Sequence, residues 1–271
     1  MKNGKLKEKM EIVEATSGNT GIALAALGTY FKNPVHIFMP DWVSQERLAL
    51  MKMYNAKVTL ISKEEGGFKK AIELAKKYAS EHNAFLSNQF ENKNNILAHY
   101  ETTGKEIIES LGEQVGGFVS GIGTGGTLIG VSKRLKEYNS NIKAYALEPD
   151  KMPLLSQNKI IGNHKIEGIG DDFIPKIVDR SLIDKIILVN DEDSINMSRK
   201  IALNLGIGVG ISSGANMIAS VMANEENEKA IVTVFPDDNK KYLSTDLSKP
   251  ISDNDKFISN QVEILNYEFI N

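Results

Sequence analysis

The chain contains no cysteine. That excludes disulfides, a thiol nucleophile and thiolate metal sites. Its four histidines, His36, His82, His99 and His164, are scattered, and no two stand at ligand spacing, so no metal centre is expected. No apolar run approaches the length of a membrane span. The basic start Met1-Lys2-Asn3-Gly4-Lys5 is not followed by a signal-peptide core. Neither sign of charge dominates: the net charge is −3, which gives no electrostatic case for nucleic acid or an anionic membrane. Repeats and low-complexity tracts are missing too. What is left is an ordinary composition, 41% apolar and 25% charged, and 271 residues are enough for one large or two moderate cores. The default expectation is a cytoplasmic protein of bacterial type.

What is present is an alternation of short β-rich runs with helical patterns, the mark of parallel βαβ units and an α/β fold. Strands are expected at Glu11–Ala15, Val35–Met39, Lys57–Ser62, Ala84–Ser87, Gly117–Ser120, Lys143–Glu148, Lys185–Val189 and Ala230–Phe235. Phe68, Ala71, Ile72, Ala75, Tyr78 and Ala79 recur at helical spacing and make an amphipathic stripe. Ser44 is a candidate N-cap, and helices are also expected over 192–205 and 215–223.

Two polar turns stand out because each follows a strand and opens a helix. The first is Thr16-Ser17-Gly18-Asn19-Thr20-Gly21. A helix start offers unpaired N–H groups and a positive dipole end, so a carboxylate fits there; a plain Ser/Thr N-cap is the alternative. The second is Gly121-Ile122-Gly123-Thr124-Gly125-Gly126-Thr127. Several N–H donors and two Thr hydroxyls can converge on one phosphate there, with a purely structural turn as the alternative. It is not a P-loop, because Gly-Lys-Ser/Thr is missing, and no acidic residue completes a dinucleotide fingerprint.

These turns, taken with Asn88-Gln89-Phe90-Glu91-Asn92, Thr102-Thr103-Gly104, Glu148-Pro149, Gly168-Ile169-Gly170, Phe173-Ile174-Pro175, Gly210-Ile211-Ser212-Ser213-Gly214-Ala215 and Tyr242-Leu243-Ser244-Thr245, resemble the cysteine synthase (O-acetylserine sulfhydrylase) family in the family's order. The resemblance runs from about Gly4 to about Asp246. It implies the pyridoxal 5′-phosphate (PLP) fold-type II, tryptophan synthase β-like: two three-layer αβα domains. On that pattern residues 1–94 form a small domain, 95–250 a larger PLP-binding domain, and 251–271 a tail.

The resemblance also implies roles. Gly123, Thr124, Gly125, Gly126 and Thr127 would hold the PLP phosphate. Asn19 would meet the ring hydroxyl, and Ser212 the ring nitrogen, with a simple N-cap as the alternative for Ser212. Thr16, Ser17, Gly18, Thr20 and Gln89 would hold the carboxylate of an amino-acid substrate. The family's PLP-bearing lysine lies in a stretch before the point matched by Met1, and no lysine here matches it, so the chain is expected to be an N-terminally shortened member with sheet edges and apolar faces left uncovered. A homodimer is implied, as is binding of the C-terminal peptide of serine acetyltransferase.

Departures from the family pattern are acidic. Asp238 replaces a Ser, which makes it a candidate catalytic group, and Asp171 and Asp172 replace small residues. Carboxylates there would steer an ammonium group or act as a base, or are solvated turn residues. Three functions follow: β-replacement of O-acetyl-L-serine by sulfide to give L-cysteine and acetate; cysteine consumption with sulfide release; or a non-catalytic remnant that binds a partner peptide.

Overall fold

The computed structural model describes residues 5–225, 229–250 and 254–270. Residues 1–4 and 226–228 lie outside the described residues, as do 251–253 and 271 of the expected tail. The chain divides into two compact units, Met1–Gln89 and Phe90–Asn271.

In the first unit, β1 (Ile12–Ala15), β2 (Val35–Pro40), β3 (Lys57–Ile61) and β4 (Phe85–Leu86) alternate with α1 (Asn19–Phe31), α2 (Gln45–Met53) and α3 (Gly67–Glu81). The four strands are all parallel, in the order β3-β2-β1-β4. β1 and β2 are buried along their whole length, which is why both read as continuous rather than alternating apolar runs. Ile12, Ala25, Val35, Ile37, Met39 and Met51 form one core layer. The stripe on α3 is as expected: Phe68, Ala71, Ala75 and Ala79 are buried, while Glu73, Lys76 and Lys77 face solvent. α1 also leaves Leu27, Tyr30 and Phe31 exposed.

The second unit opens with α4 (Lys93–Glu101) and α5 (Thr103–Leu111), followed by β5 (Val115–Gly121), α6 (Gly126–Tyr138), β6 (Lys143–Pro149), α7 (Leu154–Gln157), β7 (Lys185–Val189), α8 (Asp191–Leu205), α9 (Ile211–Asn224), β8 (Ala230–Thr233) and α10 (Ile258–Gln261). Its sheet is also parallel, ordered β7-β6-β5-β8. Successive residues point to opposite faces. Phe118 and Ala146 join Leu128, Val131 and Leu135 of α6 on one side, while Val119, Tyr145 and Leu147 join Met197, Ile201 and Ala215 of α8 and α9 on the other. Each sheet is thus the middle layer of an αβα sandwich. The tail docks on the second core through Ile258, Val262 and Ile264, and the Asp193 carboxylate accepts the N–H groups of Ile258 and Ser259 at 2.9 Å each. Leu265 and Phe269 beyond it are exposed.

Both orders reverse direction at one point. β1 lies between β2 and β4, and β5 between β6 and β8. In open parallel sheets, ligands bind beyond the carboxyl ends of the strands at such a reversal. The two polar turns follow β1 and β5.

Candidate active site

In the first unit, the turn after β1 is anchored when Thr16 N–H donates to Phe38 O at 3.1 Å. The N-cap of α1 is Gly18, not a Ser or Thr, and no side chain caps the helix; instead Gly18 N–H donates back to Thr16 Oγ1 at 3.1 Å. The first intrahelical bond runs from Ile22 N–H to Gly18 O, so the N–H groups of Asn19, Thr20 and Gly21 point out of the helix end. Gly18 is required by packing: a Cβ there would come within 2.5 Å of Arg47 Cδ. Arg47 is fully buried, which puts a cationic side chain beneath the turn, and with the helix end it favours an anion.

Gln89 follows β4 and meets this turn. Its Nε2 donates to Ala15 O at 2.8 Å, which fixes the amide orientation, since a carbonyl oxygen cannot donate. Its Oε1 therefore faces Thr20 and accepts from Thr20 Oγ1 at 2.6 Å. Of the residues expected to hold a carboxylate, Thr16, Ser17, Gly18, Thr20 and Gln89 are brought together here, with Asn19 exposed at the first position of α1. The hydroxyl proton of Thr20 is committed to Gln89.

In the second unit, the Gly123–Thr127 turn ends β5. Gly125 is the N-cap of α6, at φ 85°, a left-handed conformation that glycine adopts without strain, and Thr124 Oγ1 accepts the Gly126 N–H at 3.2 Å. The first intrahelical bond is Ile129 N–H to Gly125 O, so Thr127 and Leu128 N–H face outward. Asn95 of α4 supports the turn from behind: its Nδ2 donates to Thr124 Oγ1 at 2.9 Å, and a Cβ on Gly126 would come within 2.1 Å of its Oδ1. His99, also on α4, lies 3.1 Å from Thr127 Oγ1 through Nε2 and 3.2 Å from Thr103 Oγ1 through Nδ1. Burial pulls the His99 pKa below its ordinary value, so the ring is neutral near pH 7. A helix end with outward-facing N–H groups and two positioned hydroxyls fits a phosphate.

Ser212 is buried in the first turn of α9. The N-cap is Gly210, so Ser212 is not the cap, and α9 begins at Ile211, earlier than the sequence pattern indicates. One turn further on, Asn216 Oδ1 accepts Gly121 N–H at 2.9 Å, tying this helix to the end of β5. Asp238 accepts Lys240 N–H at 3.0 Å and caps a short 3₁₀ turn over Asn239–Tyr242.

Asp171 lines a shallow, open pocket with Ile122, Gly123, Met152, Leu155 and Phe173. Burial, reinforced by the neighbouring Asp172 carboxylate, pushes the Asp171 pKa up to about 7. Glu148, also in that lining, is structural: its carboxylate accepts Leu155 N–H at 2.5 Å and Ser156 N–H at 3.0 Å, at the start of α7.

Arg47, Asn95, His99 and Asn216 in these clusters, and Glu14 beside them, carry no role from sequence reasoning. Only Glu14 left a signal, as the one acid inside the apolar strand Ile12-Val13-Glu14-Ala15.

Two αβα units, each with outward-facing N–H groups at the helix end by its strand reversal, one suited to a phosphate and one to a carboxylate, fit the PLP fold-type II class. The family model of pyridoxal-phosphate dependent enzymes matches residues 1–237. A cysteine synthase of Staphylococcus aureus is 41% identical over 249 residues, which cover 91% of this chain and 80% of the relative. A solved hydrogen sulfide-producing enzyme of Fusobacterium nucleatum superposes with a TM-score of 0.91 at 46% identity, covering 95% of this chain and 79% of that one. A cysteine synthase of Entamoeba histolytica superposes with a TM-score of 0.85 at 40% identity, covering 96% and 77%. The chain belongs to the pyridoxal-phosphate dependent enzymes and, among them, to the cysteine synthase family.

Proposed function

We propose that the chain binds PLP and an amino acid for β-replacement in cysteine biosynthesis, taking O-acetyl-L-serine and sulfide to L-cysteine and acetate. The observation that carries this reading is the Gly123–Thr127 turn, where the Thr127 and Leu128 N–H groups face outward at the helix end and Asn95 and His99 hold the turn from behind. In it the backbone N–H groups and the Thr124 and Thr127 hydroxyls hold the cofactor phosphate. Asn19 meets the ring hydroxyl and Ser212 the ring nitrogen. A neutral Ser at that nitrogen leaves it largely unprotonated. Thr16, Ser17, Gly18, Thr20 and Gln89 hold the substrate carboxylate. PLP, when bound, supplies the electron-withdrawing ring that lets the β-substituent leave. For the residues named, the proposal covers binding and orientation.

The proposal extends to a cytoplasmic homodimer whose carboxylate turn also accepts the C-terminal peptide of serine acetyltransferase. A non-catalytic remnant would keep that peptide binding alone. Titration of the PLP-loaded chain with O-acetyl-L-serine tests the reading. Saturable binding supports it, and peptide binding without amino-acid binding rejects it in favour of the remnant.

A second reading, cysteine consumption with sulfide release, is favoured by one observation: Asp171 titrates near neutrality in the pocket beside Gly123. The similarity to the Fusobacterium enzyme is consistent with it. Tighter binding of L-cysteine than of O-acetyl-L-serine would support this second reading.

A further inference from the structure

Glu14 is a carboxylate at the centre of the first unit's sheet, 2% exposed, on a strand whose other three residues are apolar. Such a group is retained only where its oxygens are matched by donors. Oε1 accepts Ala15 N–H at 2.8 Å. Oε2 accepts Ser87 Oγ–H at 2.6 Å and Gln89 N–H at 3.0 Å. Both sides of the strand reversal, β1 and the segment after β4, are therefore tied to one carboxylate. Asn88 between them adopts φ 52°, a left-handed turn that swings Gln89 back toward the helix end. From there the Gln89 amide reaches Ala15 O and Thr20 Oγ1.

We infer that Glu14 is a positioning residue for amino-acid binding: by holding the Ser87–Gln89 backbone it sets the Gln89 side chain against the Thr16–Thr20 turn. This rests on the reading of that turn as the amino-acid carboxylate site. Glu14 touches no ligand itself and acts through Gln89. An acceptor at both oxygens is essential. Glutamine at position 14 would turn an NH₂ toward either Ala15 N–H or Gln89 N–H, and a donor facing a donor displaces the backbone.

The test is a double-mutant cycle on the PLP-loaded chain, with O-acetyl-L-serine affinity measured by calorimetry and PLP affinity by absorbance. Glu14→Gln is expected to weaken amino-acid binding by about tenfold while PLP affinity stays within about twofold. In a Gln89→Ala background the same substitution is expected to change amino-acid affinity by less than about twofold, because its route of action is gone. A tenfold loss that persists in that background would make Glu14 merely structural and overturn the inference. So would Glu14→Gln binding like the unsubstituted chain. If the unsubstituted chain does not bind O-acetyl-L-serine, the carboxylate-site reading falls and the inference with it. If Glu14→Gln does not fold, Ser87→Ala takes its place in the cycle: a loss that vanishes with Gln89→Ala supports the inference, and no loss overturns it.

Discussion

The Thr20 hydroxyl donates to the Gln89 amide oxygen at 2.6 Å across 69 residues of sequence, joining the first turn of α1 to the segment after β4. Thr20→Val removes this donor from the half-buried Gln89 amide oxygen. A cost of about 1 kcal/mol, close to a fivefold loss of O-acetyl-L-serine affinity, is expected. Thr20→Ser, which restores the hydroxyl, is expected to recover most of it. Calorimetric titration of the PLP-loaded chain measures both.

Asn95 carries the matching task in the second unit. Asn95→Ala removes the 2.9 Å bond to Thr124 Oγ1 and frees that hydroxyl to turn away from the phosphate turn. PLP affinity is expected to fall about three- to tenfold, with amino-acid affinity at saturating PLP much less affected. Equilibrium dialysis against PLP measures the first effect.

His36 makes the first unit acid-sensitive. It is buried on β2, with Nε2 2.8 Å from Thr59 Oγ1, and burial, with Lys57 and His82 adding to it, pulls its pKa to about 4 from 6.5. The unfolded chain takes up this proton between pH 6.5 and about 4 and the folded chain does not, so His36 contributes stability above pH 6.5 that is lost as pH falls toward 4. The loss is up to about 3 kcal/mol. His36→Gln is expected to flatten the drop in urea midpoint between pH 7 and pH 4.5, and an unchanged slope would refute the assignment.

Asp171 has the opposite sign. Its folded pKa lies near 7, so the folded chain holds a proton that the unfolded chain releases, and stability falls as pH rises from 4 to 7. Asp171→Asn is expected to stabilise the chain at pH 8 more than at pH 4.5, by about 1–2 kcal/mol after allowance for its partial exposure, as read from urea unfolding at the two pH values. A shift equal at both pH values would show that the carboxyl is not held protonated.

Much of the fold was legible because parallel strands buried on both faces leave continuous apolar runs. Every expected strand is present, from Lys185–Val189, which matches at both ends, to Ala84–Ser87, which shrinks to Phe85–Leu86. β4 pairs with β1 through only two residues. Helix starts were harder to place. α1 and α6 are capped by Gly18 and Gly125, which carry no side-chain signal, and α9 begins at Ile211, where Gly210 ends an extended segment. The supports of the candidate site were least visible. Arg47 under Gly18 and Asn95 under Gly126 act across long stretches of chain, and no local spacing encodes such a contact.

The most direct test of the central assignment, that the Gly123–Thr127 turn holds the PLP phosphate, is phosphorus NMR of PLP with the chain and with a Thr124→Val, Thr127→Val variant. The expected result is a shifted, broadened phosphate resonance with the unsubstituted chain, displaced by inorganic phosphate, and affinity at least about tenfold weaker in the variant. An identical resonance and affinity for both proteins, with circular dichroism spectra unchanged, would contradict it.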